Sequence, residues 1–293
     1  MDVLLATFNG GKYLEEQLES LVCQEGVTVR VWANDDGSTD ETLAILKKWQ
    51  RKGLIKDISK SQGVGSTGAF LRLLSEHSDS EYVAFCDQDD IWEPKKLAMQ
   101  LLKITNCMPA CVTSQRLFID NSNRIIGVSK KLRRSPSFEN AMFENIAPGN
   151  TLLLNNQAIN AINRYQDAPI KYYDSWIYLL LTFVGKVEYI HQPLIRYRIH
   201  ETNLVGLRKY NVGRFIDSAE SYLSQIRFLN EINERDLKQG QNSALTELRL
   251  ISECKGKIKK VISILKYPLE RQRRIDQVGI KLTLLVLVLS SRF

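Results

Sequence analysis

The chain is poor in the residues that mark redox, zinc or nucleoside-triphosphate chemistry. It holds three histidines and five cysteines in 293 residues. The cysteines, Cys23, Cys86, Cys107, Cys111 and Cys254, are odd in number, and no His or second Cys pair stands beside Cys107 and Cys111 at zinc-like spacing. They read as free thiols in a reducing compartment. No GxxxxGK[ST] run is present, which excludes a P-loop nucleoside triphosphatase. The one long apolar run, residues 282–289, is far short of the about 20 residues that a membrane-spanning helix needs. It suits a core helix or an interfacial segment. The N-terminus enters a strand pattern at once, without a secretory signal, so a cytosolic chain is expected. Hydrophobic residues make up 44% and charged residues 25%, which argues against disorder.

The charge is unevenly spread. Residues 1–204 hold 23 Lys and Arg against 24 Asp and Glu, whereas residues 205–293 hold 17 against 9. The whole surplus of +7 therefore lies in the last third. Between Lys255 and Arg274, basic residues interleave with Val261, Ile262, Ile264, Leu265 and Leu269. That pattern fits an amphipathic helix drawn to anionic lipid, and equally a solvated helical bundle. No nucleic-acid-binding module accompanies it.

The first hundred residues alternate strand and helix patterns. Apolar runs at residues 2–7, 27–33, 55–59 and 81–86 read as strands. Helical spacing covers residues 12–22, 40–51, 69–75 and 95–102. Ser38 and Glu41 suggest a capping box for the second helix. The alternation predicts an α/β fold, a Rossmann-like and mostly parallel sheet flanked by helices. Further on, residues 110–118, 147–154, 185–190 and 193–197 look extended, 127–134 look like a polar loop, and 174–184 look helical. A boundary is expected near 205–210.

In a parallel sheet, ligands bind beyond the carboxyl ends of the strands. Three polar clusters fall at such ends: Thr7-Phe8-Asn9, Asp35-Asp36-Gly37-Ser38 and Asp87-Gln88-Asp89-Asp90. Three carboxylates within four residues repel one another, and a hard cation such as Mg²⁺ or Mn²⁺ relieves that repulsion. Asp-x-Asp after a buried strand is thus a natural anchor for a metal and a diphosphate, although a solvated acidic turn has the same letters. Asp35 and Asp36 suit a base N–H or ribose hydroxyls, or a helix cap. Gly63-x-Gly65-x-x-Gly68 is out of place for a dinucleotide fingerprint, which follows the first strand. It reads as a flexible loop, with Gly65 near the nucleotide.

Taken together, Leu4-Leu5-Ala6-Thr7-Phe8-Asn9-Gly10, Asn34-Asp35-Asp36-Gly37-Ser38-Thr39-Asp40 and Phe85-Cys86-Asp87-Gln88-Asp89-Asp90-Ile91-Trp92 resemble the signatures of family 2 glycosyltransferases. The Asp-Gln-Asp-Asp-Ile-Trp form is similar to bacterial rhamnosyltransferases of cell-surface polysaccharide synthesis. The resemblance implies a GT-A catalytic domain over residues 1–207, with a nucleotide-sugar half at 1–105 and an acceptor half at 106–207. A basic helical region would fill 208–293. It implies that Thr7, Asn9, Asp35 and Asp36 line the donor-nucleotide pocket. Asp87 and Asp89 would hold Mg²⁺ or Mn²⁺ with His200, and Arg198 would bind the diphosphate. Gly149, Asn150 and Trp176 would lie on the acceptor side. Asp174, within Tyr172-Tyr173-Asp174-Ser175-Trp176-Ile177, would be the general base of an inverting displacement, or a helix cap as well.

The resemblance further implies transfer of a sugar, L-rhamnose from dTDP-L-rhamnose, to a lipid-linked glycan in capsule, O-antigen or cell-wall synthesis. The enzyme would sit on the inner face of the bacterial membrane. A UDP-hexose or UDP-N-acetylhexosamine donor, a nucleotidyltransferase and a non-catalytic sugar-nucleotide-binding protein are the alternatives.

Overall fold

The computed structural model describes residues 1–200 and short helical stretches at 224–225, 227–229 and 231–232. The expected boundary near 205–210, the basic amphipathic segment and the apolar run at 282–289 lie outside the described residues. Two compact units are present. Among the described residues the first comprises 1–132, 147–166 and 172–200, and all the sites discussed below belong to it. The second includes Arg133–Ile146 and Asp167–Lys171.

The first unit is built on a sheet whose core is four parallel strands. β1 (Asp2–Thr7) lies between β2 (Arg30–Asp35) and β4 (Tyr82–Asp87), and β3 (Ile55–Lys60) flanks β2. With a neighbour on each side and helices over its faces, β1 is apolar nearly throughout, and Val3, Leu4 and Leu5 are fully buried. α1 (Leu14–Val22) and α2 (Thr42–Arg51) cross between these strands. Leu14, Leu18 and Leu21 of α1, and Leu46 and Trp49 of α2, point into the core at helical spacing. α3 (Gly65–Glu76) follows β3. The chain adds strands to one side of β1 and then, at β4, to the other. That reversal opens a crevice at the carboxyl ends of β1 and β4.

The rest of the sheet is mixed. After β5 (Ile91–Trp92) and α4 (Lys96–Leu101), the chain forms β6 (Ala110–Ile119) and β7 (Ile125–Val128), and in the second unit the short α5 (Phe138–Ala141). β8 (Leu153–Asn155), α6 (Asn156–Arg164), α7 (Tyr173–Val184) and β9 (Lys186–Arg198) complete it. The strand order is β3-β2-β1-β4-β8-β6-β9-β5, with β7 on β6. β8 runs antiparallel to both β4 and β6, while β6 and β9 pair in parallel. The expected α/β class holds, with a mostly parallel sheet flanked by helices.

Several local expectations are corrected. The two-residue β5 gave no periodic signal, yet it pairs with β9 through Ile91 and Trp92 and so closes the far side of the acidic turn after β4. The strand expected at 147–154 is a 3-10 turn, Gly149–Thr151, followed by β8. Asn155 then caps α6, its Oδ1 accepting from Ala158 N at 2.8 Å. Residues 127–128 of the expected loop belong to β7. The two extended pieces at 185–197 are one strand, bulged opposite Gln115 where Pro193 has no N–H to give. α3 begins at Gly65, so part of the glycine-rich segment is helix. Ser38 does not cap α2: the N-cap position is Glu41, and Asp40, just ahead of it, accepts from Thr42 N at 3.0 Å.

Asp2 ties the amino ends of β1 and β2 together. It accepts from Arg30 Nε at 2.7 Å and Nη2 at 2.8 Å, from Trp32 Nε1 at 3.0 Å and from Ser80 Oγ. Burial raises its pKa, but the bonds from Arg30, Ser80 and Trp32 and the Arg30 charge prevail and hold it below its ordinary value. A lowered carboxylate contributes stability above its unfolded pKa and loses it as pH falls through the folded one. Asp2→Asn should therefore cost about 1–2 kcal/mol at pH 7, a figure discounted for the half-exposed Arg30. The gap from the wild type should narrow below about pH 4. Urea denaturation at both pH values measures this, and equal stability at pH 7 would contradict it.

Candidate active site

The crevice floor is a set of loops bolted to one another by side chains. Thr7 Oγ1, at the end of β1, donates to Asp35 Oδ1 at 3.0 Å across the strand gap. Asp35 also accepts from Ser38 Oγ at 2.6 Å and from Ser38 N at 3.0 Å. Asn9, at a φ of +48°, accepts from Thr39 N at 2.9 Å, while its own N–H donates to Ser38 Oγ at 2.9 Å. Gln88 reaches from the end of β4 to the loop after β1. Its Oε1 accepts from Phe8 N at 2.8 Å and its Nε2 donates to Phe8 O at 2.9 Å. A Cβ on Gly10 would lie 2.1 Å from that Oε1, so only glycine leaves the bridge intact.

Asp36 has a similar tying role on the other side. Its Oδ1 accepts from Ser61 Oγ at 2.8 Å and Val64 N at 3.0 Å, and its Oδ2 accepts from Gly65 N at 2.8 Å. It thus caps the start of α3 from a distance, where the helix dipole favours an anion. Burial raises its pKa, but the bonds from Ser61, Val64, Gly65 and Gly63 outweigh it and set the carboxyl below its ordinary value. Two expected nucleotide contacts, Asp36 and Gly65, therefore meet in one hydrogen bond.

The acidic turn lies between β4 and β5. Asp87 is pushed up to about 7 by burial and by the charges of Asp89 and Asp174, against the opposing pull of Arg116. Asp90 is fully buried and raised by burial, Asp89 and Asp87, although Asn150 Nδ2 and Arg198 N donate to its two oxygens. Asp89 Oδ2 lies 2.7 Å from His200 Nε2. The fold thus brings Asp174 and His200, both far away in sequence, to Asp87 and Asp89 of the acidic turn. Among the described residues no three His, Cys, Asp or Glu form a complete metal-binding set. Mg²⁺ and Mn²⁺ typically take one or two carboxylates and draw their other ligands from phosphates and water. The crowded carboxylates with His200 alongside fit that requirement.

Asp174 is set at the first turn of α7, its Oδ1 accepting from Ser175 N at 2.8 Å. Its neighbour Tyr173 fixes the helix against the sheet. The Tyr173 ring packs 4.7 Å from Phe70 and 5.1 Å from Phe85. Its hydroxyl occupies the space that a Cβ on Gly149 would need, 1.8 Å away. Gly149, Asn150 and Trp176 are all buried, Trp176 completely. Asn150 packs behind Asp90 and Gly149 behind Tyr173.

Arg198, expected at the diphosphate, is buried. Its side chain is 1% exposed. Nε donates to Asp89 O at 2.9 Å, Nη1 to Asp120 O at 3.3 Å and to Asn123 Oδ1, and Nη2 to Glu16 Oε2 at 2.7 Å. The guanidinium stands 4.5 Å over the Tyr13 ring. It holds the acidic turn in place through the Asp89 carbonyl. The cation that faces the cluster is Arg116, half-buried on β6, which stands 4.7 Å over the Tyr197 ring and lowers the Asp87 pKa. The sequence carried one signal for it, a lone Arg in an otherwise apolar and neutral strand. Gln88 had none.

Arg198→Ala should lower stability by about 2–4 kcal/mol, because it strands buried acceptors at the acidic turn. Arg198→Lys should recover only part of that, since it lacks the fork. Denaturant unfolding of the two variants checks this, and wild-type stability in Arg198→Ala would return the residue to a solvent-facing role.

Known proteins resemble this chain in sequence and in fold. The pattern described as Glycosyl transferase family 2 matches residues 2–171. The chain is 30% identical over 220 residues to the dTDP-rhamnosyl transferase RfbG of Shigella flexneri, a match covering 69% of this chain and 73% of that one. A crystal structure of S. aureus TarS 1-349 in complex with UDP-GlcNAc superposes with a TM-score of 0.60 at 16% identity, over 100% of this chain and 92% of that one. The mannosyltransferase PcManGT from Pyrobaculum calidifontis, solved with GDP-Man and Mn²⁺, gives a TM-score of 0.56 at 14% identity, over 99% and 86% of the two chains. The crevice at β1 and β4, the acidic turn and the matched residues lead to one assignment: the chain is a glycosyltransferase of family 2 with the GT-A fold.

Proposed function

We propose that the enzyme transfers L-rhamnose from dTDP-L-rhamnose to a hydroxyl of a lipid-linked glycan, with inversion. Use of a nucleotide-sugar donor follows from the family. The rhamnose donor rests on the similarity to the Shigella dTDP-rhamnosyl transferase. The observation that carries the mechanism is that α7 starts against β4, with the Tyr173 ring 5.1 Å from Phe85, which sets Asp174 near the acidic turn that follows β4. In this reading a base and a diphosphate anchor share one crevice.

Each residue has a task in this reading. Asp174 takes the proton of the acceptor hydroxyl, whose oxygen attacks the anomeric carbon as the bond to the donor's phosphate breaks. Asp89 and Asp87, with His200 beside Asp89, would hold Mg²⁺ or Mn²⁺ together with the donor's phosphates, and the ion would supply positive charge toward the departing diphosphate. Arg116 adds a cation on the β6 side of Asp87. Thr7, Asn9, Asp35, Asp36 and Gly65 shape the nucleotide end, chiefly by fixing the loops after β1 and β2 and the start of α3. Arg198, Asn150 and Gly149 position the acidic turn and α7.

The enzyme works at the cytoplasmic face of a bacterial membrane, with surface contact through the basic region 208–293. Among the described residues no helix is long and apolar enough to cross a membrane. A UDP-N-acetylhexosamine donor is the second reading, favoured by a 33% match over 90 residues to the S. aureus poly(ribitol-phosphate) beta-N-acetylglucosaminyltransferase TarS. A donor panel that detects released dTDP or UDP separates the two.

Asp174→Asn should lower kcat by about 10²–10⁴-fold and leave donor affinity unchanged, since it removes a proton acceptor and keeps the shape. Asp89→Ala should lose both turnover and donor affinity. Single-turnover kinetics and donor calorimetry read these outcomes. Near-normal turnover in Asp174→Asn would remove it as the base.

A further inference from the structure

β7 is an unusual edge. Among the described residues it pairs only with β6, through Leu117↔Val128, Phe118↔Gly127 and Ile119↔Ile125. Ile125, Ile126 and Val128 are 62%, 53% and 52% exposed. A single exposed aliphatic residue is ordinary, but three in a four-residue strand leave both its faces apolar and wet. A Cβ on Gly127 would lie 3.4 Å from Phe118 Cδ2.

The flanks of this strand are basic. Within the first unit, residues 120–132 contain Arg124, Lys130 and Lys131 and one acid, Asp120, whose Oδ2 accepts from Arg124 Nε at 3.0 Å. Arg124, Lys130 and Lys131, which border β7 within the first unit, are exposed. An apolar edge rimmed by cations is complementary to an anionic lipid surface, whose headgroups meet the charges while the aliphatic side chains enter the acyl boundary.

The hairpin is also firmly joined to the active site. Asp120 Oδ1 accepts from Ser122 N at 2.8 Å and Arg124 N at 3.1 Å, which makes its turn rigid. Tyr13 OH donates to Asn121 Oδ1 at 2.7 Å, and Arg198 donates to Asp120 O and Asn123 Oδ1. The turn is therefore fastened to α1 and to the end of β9, two residues before His200.

We propose that the β6–β7 hairpin docks on the surface of an anionic lipid bilayer and holds the acidic pocket beside it. This goes beyond the reading above, which puts membrane contact in residues 208–293, and does not depend on the donor. A second copy of the chain is the weaker occupant. Pairing two β7 edges would bring Arg124, Lys130 and Lys131 of both copies together, and a four-residue strand covers little of the roughly 1,200 Å² of a stable interface.

Cosedimentation of the full chain with phosphatidylcholine vesicles, with and without phosphatidylglycerol, tests the proposal. The wild type should partition onto the anionic vesicles. Ile125→Ser/Ile126→Ser/Val128→Ser should weaken that partitioning by about tenfold. Its melting temperature and its transfer to a soluble acceptor should stay unchanged. Lys130→Glu/Lys131→Glu should weaken binding to the anionic vesicles, and the Ile126→Trp fluorescence should shift to the blue on them. Unaltered binding by the triple serine variant would overturn the proposal. So would a wild-type dimer in sedimentation equilibrium that this variant abolishes.

Discussion

The mutual repulsion of the carboxylates after β4 is the constraint around which this enzyme is arranged. Asp87, Asp89 and Asp90 fall within four consecutive positions, and α7 adds Asp174. Left to themselves, such groups would move apart or hold protons. Here they are kept together from behind. Arg198 grips the Asp89 carbonyl, Asn150 and the Arg198 N–H satisfy Asp90, and Gln88 clips the turn to the loop after β1. The turn is therefore built before any ligand arrives, and its unbalanced charge faces the crevice. A divalent cation would offset that charge and could hold a diphosphate at the same time, which is the chemistry that a nucleotide-sugar transferase needs.

Much of the sheet was legible in the sequence because four apolar runs, separated by amphipathic helices, allow few arrangements other than a parallel core. The clustering of Thr7, Asp35 and Asp87 followed from topology alone, since strand ends converge in such a sheet. Roles were harder to read than places. Asp35 and Asp36 look from their position like groups that touch a nucleoside, yet the structure occupies their oxygens with Thr7, Ser38, Ser61, Val64 and Gly65. A sequence does not reveal which hydrogen bonds a carboxylate has already accepted. Arg198 misled for the same reason, because its burial depends on Glu16, Asp120 and Asn123, which lie far away in the chain.

The elements missed were those without periodicity. β5 is two residues long, the turn Gly149–Thr151 sits inside an apolar run, and Pro193 hides the continuity of β9. Each matters to the site: β5 closes the acidic turn, the 3-10 turn makes room for the Tyr173 hydroxyl, and β9 delivers His200. Tertiary packing decides all three. Only Arg116 left a visible trace, as a charge inside a buried strand.

Calorimetric titration of dTDP into the wild-type enzyme, with and without Mn²⁺, tests the electrostatic account most directly. If the carboxylates wait for a cation, Mn²⁺ should tighten the diphosphate by about tenfold or more, since each tenfold is only 1.4 kcal/mol, and dTMP, with a single phosphate, should gain far less. Equal dTDP affinity with and without the metal would contradict it.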